Sequence, residues 1–489
     1  MKNLIVVNNV QQWPGEIAGV EMVAAQNYLT DSYYASATQM LIYNLCDSYG
    51  YQRLGYYVSL LAEARGQKAV PRARTIEDLQ SANLVRLLTE TLEEWIQLAL
   101  QDQTAPAIEW DFYFGLRAGA SDDVLGQQLF QLLKAPLLRA HFEKHGERWQ
   151  IMSARAVSLE EVGQQAIPAI FAAAKQHFLG RNGRNSKLSA QRYAIAILHD
   201  PSDTQPPSNP EALAKFAEAA ATLGMHTEII NRNDFGRLSE FDGLFIRDTT
   251  RVNHYTYRFA RQAAAEGLVV IDDPDSILKC SNKVYLAELL SQHDIPAPKT
   301  LVVHRDNLDK VFSTLGSPCI LKQPDSAFSA GVTKVGTQAE LEAEAEHLFT
   351  LTDLFIAQEY LPTEFDWRVG VLDGRVLYVA KYYMAPGHWQ IIKRDPVQNT
   401  EEGETSALAL SEAPDAVLQQ ALKAANSIGD GLYGVDVKHI DDRAYVIEVN
   451  DNPNLDAGNE DSILKDALYR EVMGVFLKRI EARNKRSAA

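Results

Sequence analysis

Residues Leu432 to Asn454 read LYGVDVKHIDDRAYVIEVNDNPN. Two β-rich runs flank a short polar turn, Asp441-Asp442-Arg443, so the stretch predicts a β-hairpin. Val435, Val437, Tyr445, Ile447 and Val449 alternate onto one apolar face, and Asp436, Lys438, Glu448 and Asn450 onto the other. A turn centred on Asp442 makes Asp436 and Glu448 direct cross-strand neighbours, with Asn450 one pleat further along. Two like charges placed opposite each other destabilise a sheet. A divalent cation removes that cost, and Mg²⁺ favours one or two carboxylates together with substrate phosphates. The polar face therefore reads either as a platform for Mg²⁺ and phosphate or as the solvated side of an ordinary amphipathic hairpin. The choice depends on register, because a slip of one residue carries Glu448 to the other face.

Working back from this hairpin, Trp367–Leu372 and Arg375–Tyr382 form a second predicted hairpin around Asp373-Gly374. Thr300–Val303, Pro318–Gln323 and Leu354–Leu361 read as strands, Asp309–Leu315 as a helix, and Ser281–His293 as a helix that opens on Lys283. Between Tyr193 and Ile271, strands alternate with helices that end at Gly224 and Gly267, the pattern of βαβ units and a mainly parallel sheet. Leu179–Arg192 is polar and basic and reads as a linker. Ahead of it, Leu4–Val7 is an opening strand, Tyr56–Arg65 a helix closed by Gly66, and the segments from Ala82 onward are helix-periodic, including Ile167–Phe178. No internal repeat is evident, and this first region carries no catalytic motif. Ser462–Arg483 is an amphipathic helix whose basic end suits the negative pole of its dipole.

The net charge of −17 argues against a phosphate-backbone binder, which needs a basic footprint. The three cysteines, Cys46, Cys280 and Cys319, are widely spaced and form neither a metal pattern nor a disulfide framework, as expected of a reducing cytoplasm. No apolar run approaches the length of a membrane span, and Met1–Asn8 is too short for a signal-peptide core. A soluble cytoplasmic protein is expected.

Several charged residues fall where strands or helix starts should hold them. Lys322 lies inside an otherwise apolar strand, where a lone amine is costly unless paired. Asp366 and Arg368 share one side of a strand, and Glu359 ends another. Singly, each has an ordinary explanation: a surface helix residue, a strand-edge charge, an exposed pair. In order, the series Lys283, Lys322, the loop Asp325–Gly331, Gln358-Glu359-Tyr360, Asp366-Trp367-Arg368, Asp436 and Glu448-Val449-Asn450 resembles the ATP-grasp ligases. Within them it is most similar to RimK-like enzymes, which add glutamate to a carboxyl end, and more distantly to glutathione synthetase. The resemblance covers roughly residues 190 to 475.

That resemblance implies an α/β protein of three parts: an α/β amino-terminal extension (1–185), an open α/β pre-ATP-grasp domain (190–275) and an α+β ATP-grasp domain (276–489). It implies ATP and Mg²⁺, with Mn²⁺ as a substitute metal. Lys283 and Lys322 would contact phosphates, the strand at Gln358, Glu359 and Tyr360 would hold adenine through backbone groups, and Asp366 would meet the ribose or the nucleotide edge. Asp436, Glu448 and Asn450 would bind the metal, and Arg368 the acyl phosphate or the carboxylate substrate. Two departures stand out. The phosphate-covering loop, usually glycine-rich, reads DSAFSAG over 325–331. Where the family commonly places an Arg and an Asn, Gln390 and Lys393 are the substitutes, with His388 and Trp389 as acceptor contacts unless Trp389 is packed in the core. The implied activity is carboxylate–amine ligation through an acyl phosphate. The implied partners are amino acids, peptides or a protein carboxyl end, and a second copy of the chain, with no nucleic acid and no membrane. The altered loop and the missing pair leave an alternative, a nucleotide-binding regulator that keeps the fold without ligating.

Overall fold

The computed structural model describes residues 2–488 except 38–39, 90–91, 119, 121, 189–191, 326–330 and 395–399. The chain divides into two units, one built from 1–190, 233–239 and 481–489, the other from 191–232 and 240–480. The division departs from the expected domain limits by giving the short segment 233–239 and the last residues of the chain to the first unit.

The first unit opens on a parallel sheet of β1 (Lys2–Val7), β2 (Val20–Ala24), β3 (Met40–Asn44) and β4 (Lys68–Val70), in the order β2-β1-β3-β4. The inner strands β1 and β3 are buried on both faces, so they read as continuous apolar runs rather than as alternation. Leu4, Val6 and Ile42 pack against Val58 and Ala62 of the helix Leu54–Ala64, while Ile5, Leu41 and Tyr43 pack against Ile170, Ala174 and Phe178. A second, antiparallel sheet follows, made of β5 (Ala107–Tyr113), β6 (Leu116–Arg117), β7 (Leu137–His145) and β8 (Arg148–Ala156) in the order β6-β5-β7-β8. The helix-periodic reading of this region missed that sheet. Its buried face, with Phe112, Leu138, Phe142 and Ile151, is covered by Leu125, Leu129 and Leu133 of the helix Val124–Leu133. The helix expected from Ala82 onward is broken into Ala82–Thr89 and Glu93–Leu100. The segment read as a linker is instead the end of one long helix, Ile167–Leu188, so its Gly and Asn residues did not stop it.

The second unit has three larger sheets. β9 (Tyr193–Leu198), β10 (Met225–Ile230), β11 (Gly243–Ile246) and β12 (Val269–Ile271) form the expected parallel sheet, in the order β10-β9-β11-β12. Ile195, Ile197 and Phe245 are buried against Phe216 and against Leu468, Tyr469, Val472 and Phe476 of the helix Asp466–Ala488. The last helix of the chain therefore completes the core of the parallel sheet that comes first in this unit. β13 (Thr300–Val303), β14 (Cys319–Lys322), β15 (Val332–Val335) and β16 (Phe355–Glu359) form an antiparallel sheet ordered β13-β16-β14-β15. The third sheet holds β17 (Phe365–Leu372), β18 (Arg375–Tyr383), β21 (Thr405–Leu408), β22 (Leu432–Ile440) and β23 (Arg443–Asp451), ordered β21-β18-β17-β22-β23; β19 (Ile392–Arg394) and β20 (Thr400–Glu402) pair separately. The helix Asp415–Ile428 covers the apolar side of the third sheet through Val417, Ala421, Ala424 and Ile428. Its other side is polar and faces the site. Among the described residues no helix is long and apolar enough to cross a membrane.

Candidate active site

Asp436 and Glu448 are register partners on β22 and β23, and Asn450 lies opposite Gly434 on the same side. The turn that joins the strands is tighter than expected. Ile440 pairs with Arg443, leaving a two-residue loop of Asp441 and Asp442, both with positive φ (49° and 62°). Without further irregularity that turn would set Ile447 opposite Asp436. A bulge between Asp436 and Val437 inserts one residue into β23 and restores Glu448 to the position. The bulge also corrects the apolar face: Ala444, Val446 and Val449 are buried with Val435 and Val437, whereas Tyr445 and Ile447 are partly exposed. Ile447 lines the cleft instead.

The cleft has a volume of about 430 Å³ and takes its walls from the β13–β16 sheet, the third sheet and the loops that follow β9 and β11. Twelve of the fourteen residues individually given a role in the sequence line it, His388 being one exception: Lys283, Lys322, Gln358, Glu359, Tyr360, Asp366, Arg368, Trp389, Gln390, Asp436, Glu448 and Asn450. Lys393 is not among them. It sits on the small β19–β20 sheet, where its ammonium is 3.1 Å from Glu401, and both side chains are substantially exposed. Residues Ser326–Ala330 of the expected phosphate loop lie outside the described residues.

Asp436, Glu448 and Asp366 each meet a cation. Arg368, the register partner of Asp436 across β17 and β22, forks onto it with Nε 2.5 Å from Oδ1 and Nη2 3.1 Å from Oδ2. The geometry is bidentate, the form that makes arginine specific for carboxylates. Gly434 leaves room for this arginine: a Cβ there would come within 2.7 Å of Pro453 and 3.1 Å of the Arg368 side chain. Burial pushes the Asp436 carboxyl up and the Arg368 charge holds it down; the net direction is up. Asn450 Nδ2 donates to Asp436 Oδ2 at 3.2 Å. Lys283, the first residue of the helix Lys283–Gln292, places Nζ 3.0 Å from Glu448 Oε1. Burial opposes ionisation of Glu448, but Lys283 and Lys322 outweigh it, so its pKa is lowered. Lys322 protrudes from β14 into this cluster. Burial, with Lys283 and Lys438 nearby and Glu448 opposing, pulls its pKa down to about 8.

Asp366 does not stand open for a ribose. Lys438 Nζ is 2.5 Å from its Oδ1, and Thr363 donates to it at 3.1 Å. Lys438 was visible on the polar face of the hairpin, but nothing local marked it as a partner of a residue 72 positions away. Gln358 donates from Nε2 to Thr300 Oγ1, and the Glu359 carboxylate accepts from the Lys299 N–H while its own N–H bonds the Lys299 carbonyl. Glu359 therefore closes the strand, and Tyr360 follows the last ladder residue. Trp389 is half-buried in the cleft wall rather than packed in the core. Its ring meets Tyr360 edge-on at 6.1 Å, and the Lys334 ammonium lies over both rings at 4.7 and 5.4 Å. Gln390 Nε2 donates to the Val332 carbonyl at 3.4 Å.

A further set was not foreseen. Arg247, fully buried at the end of β11, bonds Ser208 Oγ, Asn452 Oδ1 and the carbonyls of Pro207 and Pro453. Asp272 accepts from the N–H of Leu432 and of Asn452, clamping both ends of the β22–β23 hairpin. Burial pushes its pKa up to about 7. The sequence signal was slight: one arginine closing the apolar run FDGLFIR. Beyond it, Thr249–Asn253 form a wall of the cleft.

The donor set suits a hard divalent cation by composition: two carboxylates and an amide oxygen on one face. The two carboxylates are direct neighbours, and Lys283 and Arg368 supply the positive charge that such a pair requires. Among the described residues no group of three or more His, Cys, Asp or Glu side chains could hold a metal, so a cation held here would need the Asn450 amide and phosphate oxygens beside the two carboxylates.

The sheet topology and this site together define an ATP-grasp fold. Residues 280–467 match the RimK-like ATP-grasp domain, and residues 25–173 match the RimK-like ATP-grasp N-terminal domain. The chain belongs to the RimK-like ATP-grasp family. It is 25% identical over 248 residues to a probable alpha-L-glutamate ligase of Alcanivorax borkumensis, covering 50% of this chain and 77% of that protein. It is 25% identical over 281 residues to a probable alpha-L-glutamate ligase of Vibrio vulnificus, covering 55% and 88%. Among solved structures, D-alanine–D-alanine ligase from Bacillus anthracis aligns over 60% of this chain and all of that one, with a TM-score of 0.47 and 16% identity.

Proposed function

We propose that the protein is an ATP-dependent carboxylate–amine ligase that joins an amino acid such as glutamate to the carboxyl end of an amino acid, peptide or protein. The observation that carries this reading is the meeting of Lys283 and Lys322 with Asp436 and Glu448 in one cleft. The γ-phosphoryl group presents negative charge on every side, and its transfer depends on positioning and on cations. Lys283 and Lys322 supply two of them. Asp436, Glu448 and Asn450 would hold Mg²⁺, which would supply further positive charge against the phosphates.

Arg368 is the group best suited to the attacking carboxylate, because its planar fork can exchange Asp436 for a substrate carboxylate with little reorganisation. A carboxylate oxygen attacks the γ-phosphorus, ADP leaves, and an acyl phosphate results. The amine then attacks the acyl carbon, phosphate leaves, and the amine nitrogen gives up a proton as the amide forms. The walls of the cleft limit hydrolysis of the mixed anhydride by excluding water. Trp389 and Tyr360 offer an aromatic corner, with Lys334 over both rings, at the side of the cleft where an adenine ring or an acceptor would rest.

The test is phosphate release from Mg-ATP across panels of amino-acid pairs, with mass spectrometry of the amide product. Stimulation by no pair removes the ligase reading. The second reading, a nucleotide-binding regulator, is favoured by the closed Arg368–Asp436 pair, which spends both groups on each other. Tight ATP binding without any amide product would select it.

A further inference from the structure

The two units repeat one another. The parallel sheets share the order 2-1-3-4, counted by strand along the chain: β2-β1-β3-β4 in the first unit and β10-β9-β11-β12 in the second. In both, the residue after the third strand bonds back to the first, Leu45 N–H to the Val6 carbonyl and Arg247 N–H to the Leu198 carbonyl. The helix before the fourth strand ends alike, with Gly66 N–H on Glu63 and Gln67 N–H on Ala62, against Gly267 N–H on Ala264 and Leu268 N–H on Ala263.

The antiparallel sheets repeat as well. The orders β6-β5-β7-β8 and β18-β17-β22-β23 correspond strand for strand. The hairpins β5–β6 and β17–β18 turn through Phe114-Gly115 and Asp373-Gly374, each with two positive φ values. The helices Val124–Leu133 and Asp415–Ile428 each lead into the next strand through three residues, and each is closed by the same bond, Lys134 N–H to Phe130 and Gly429 N–H to Ala425.

The closing hairpins agree residue by residue. From the turn, β7 and β8 pair His145 with Arg148 and keep register to Phe142 with Ile151; β22 and β23 pair Ile440 with Arg443 and keep register to Val437 with Val446. A bulge then follows at the same step, after which His141 faces Ser153 and Asp436 faces Glu448. In both units a long helix follows the hairpin and packs on the parallel sheet, Ile167–Leu188 in one and Asp466–Ala488 in the other. Two-residue turns and bulges are individually common. Their coincidence at one register, within one strand order and behind one connector, is what independent folds do not share.

We infer that the amino-terminal unit is an internal copy of the ligase framework that has lost nucleotide and metal binding, so that the chain holds a single nucleotide site, in the second unit. The inference rests on the proposed function only for the location of that site. The register fixes what stands where. In the places of Arg368, Asp436, Glu448, Asn450 and Lys438, the copy has Glu109, His141, Ser153, Arg155 and Glu143. No counterpart of the β13–β16 sheet exists among the described residues. The described residues between β4 and β5 form the helices Ala73–Asp78, Ala82–Thr89 and Glu93–Leu100 and no strand. The lysine that corresponds to Lys322 thus has no strand to stand on. The charges of the copied face are turned on one another: Arg139 forks onto Asp111 at 2.6 and 2.8 Å, Arg155 pairs with Glu161, and His141 lies 3.0 Å from Glu143. A triphosphate would meet Glu143 and Glu109 where the second unit offers Lys438 and Arg368.

The experiment is the stoichiometry of a non-hydrolysable ATP analogue with Mg²⁺ on the full chain, by equilibrium dialysis. One analogue per chain is expected in the wild type and in the pair His141→Ala/Arg155→Ala, and none in Lys322→Met/Glu448→Gln. Two per chain, or one retained by Lys322→Met/Glu448→Gln, would overturn the inference, as would loss of binding in a folded His141→Ala/Arg155→Ala protein. No binding by the wild type would end the ligase reading and leave the copy without a nucleotide site, as inferred. A crystal structure with the β7–β8 bulge anywhere but at Met152 would break the residue-level equivalence.

Discussion

Replacing Arg368 by Met should expose the cost of the paired carboxylates at the heart of the cleft. Arg368 and Asp436 are each about nine-tenths buried as side chains, at 11% exposure, and are joined by two hydrogen bonds. Removing one partner of such a pair leaves an uncompensated charge, at a cost of about 3–5 kcal/mol. Glu448 sits directly opposite and keeps Lys283, so Asp436 is the group left without a cation. For a unit of this size each kcal/mol moves Tm by roughly 2–4 °C, so a fall of about 10 °C is expected by scanning calorimetry. Mg²⁺ should then restore part of the loss, because it takes the place of the missing guanidinium. At a hundredfold excess over Kd the gain is about 2.7 kcal/mol. The wild type should gain less, since there the metal competes with Arg368 for Asp436. A variant that melts within a degree or two of the wild type, or whose Mg²⁺ shift equals that of the wild type, would refute this account of the cleft. Lys393→Met is the control: its exposed pair with Glu401 contributes at most about 1 kcal/mol and should leave Tm nearly unchanged.

Lys322→Met should weaken binding of the ATP analogue by about 10- to 100-fold, the worth of a charged hydrogen bond, as read by calorimetric titration. With the Lys322 pKa pulled down to about 8, wild-type affinity should fall as pH rises through that value, and the dependence should vanish in the variant. Asp461 stabilises the fold near neutral pH and loses that contribution in acid. Burial opposes its ionisation, but hydrogen bonds from Lys215, the Gly458 N–H and Tyr469 outweigh it and hold its pKa below the ordinary value. A depressed carboxyl pKa stabilises the fold above the unfolded value and loses that contribution as pH falls through the folded one. Asp461→Asn should therefore cost about 1–3 kcal/mol near neutral pH and much less in strong acid, measured by urea unfolding across that range. Cys46, Cys280 and Cys319 are all buried, with thiols pushed up in pKa by desolvation. They should resist a thiol reagent at mildly alkaline pH until the chain is unfolded.

The parallel sheet of the second unit, the two hairpins around Asp373-Gly374 and Asp441-Asp442, and most of the cleft were legible because each strand carries its own apolar pattern and turn chemistry. The pairing of Asp436 with Glu448 was reached through a turn centred one half-step too far along, and the bulge supplied the difference. Bulges leave no mark in a hydrophobic period, so Tyr445 and Ile447 were assigned to the wrong face. The pairing of Lys438 with Asp366 and the buried Arg247 were hidden for another reason: their partners lie far off in the chain, and only the closed fold brings them together. The first unit was the least legible. Its β7 and β8 carry His, Glu, Lys and Arg on the exposed face, and the short helices between β4 and β5 dominate the periodicity. The repeat went unseen because it is held in hydrogen-bond register rather than in residue identity.

The helix Asp466–Ala488 supplies half of the apolar cover for a sheet whose first strand begins at Tyr193. During synthesis, β9 to β12 emerge long before the side chains that will shield Ile195 and Phe245. Until the helix Asp466–Ala488 has been made, those strands carry an uncovered oily surface, the condition under which nascent chains aggregate or recruit chaperones. A premature stop just before Asp466 would therefore spare every proposed active-site residue and still leave a polypeptide that cannot mature.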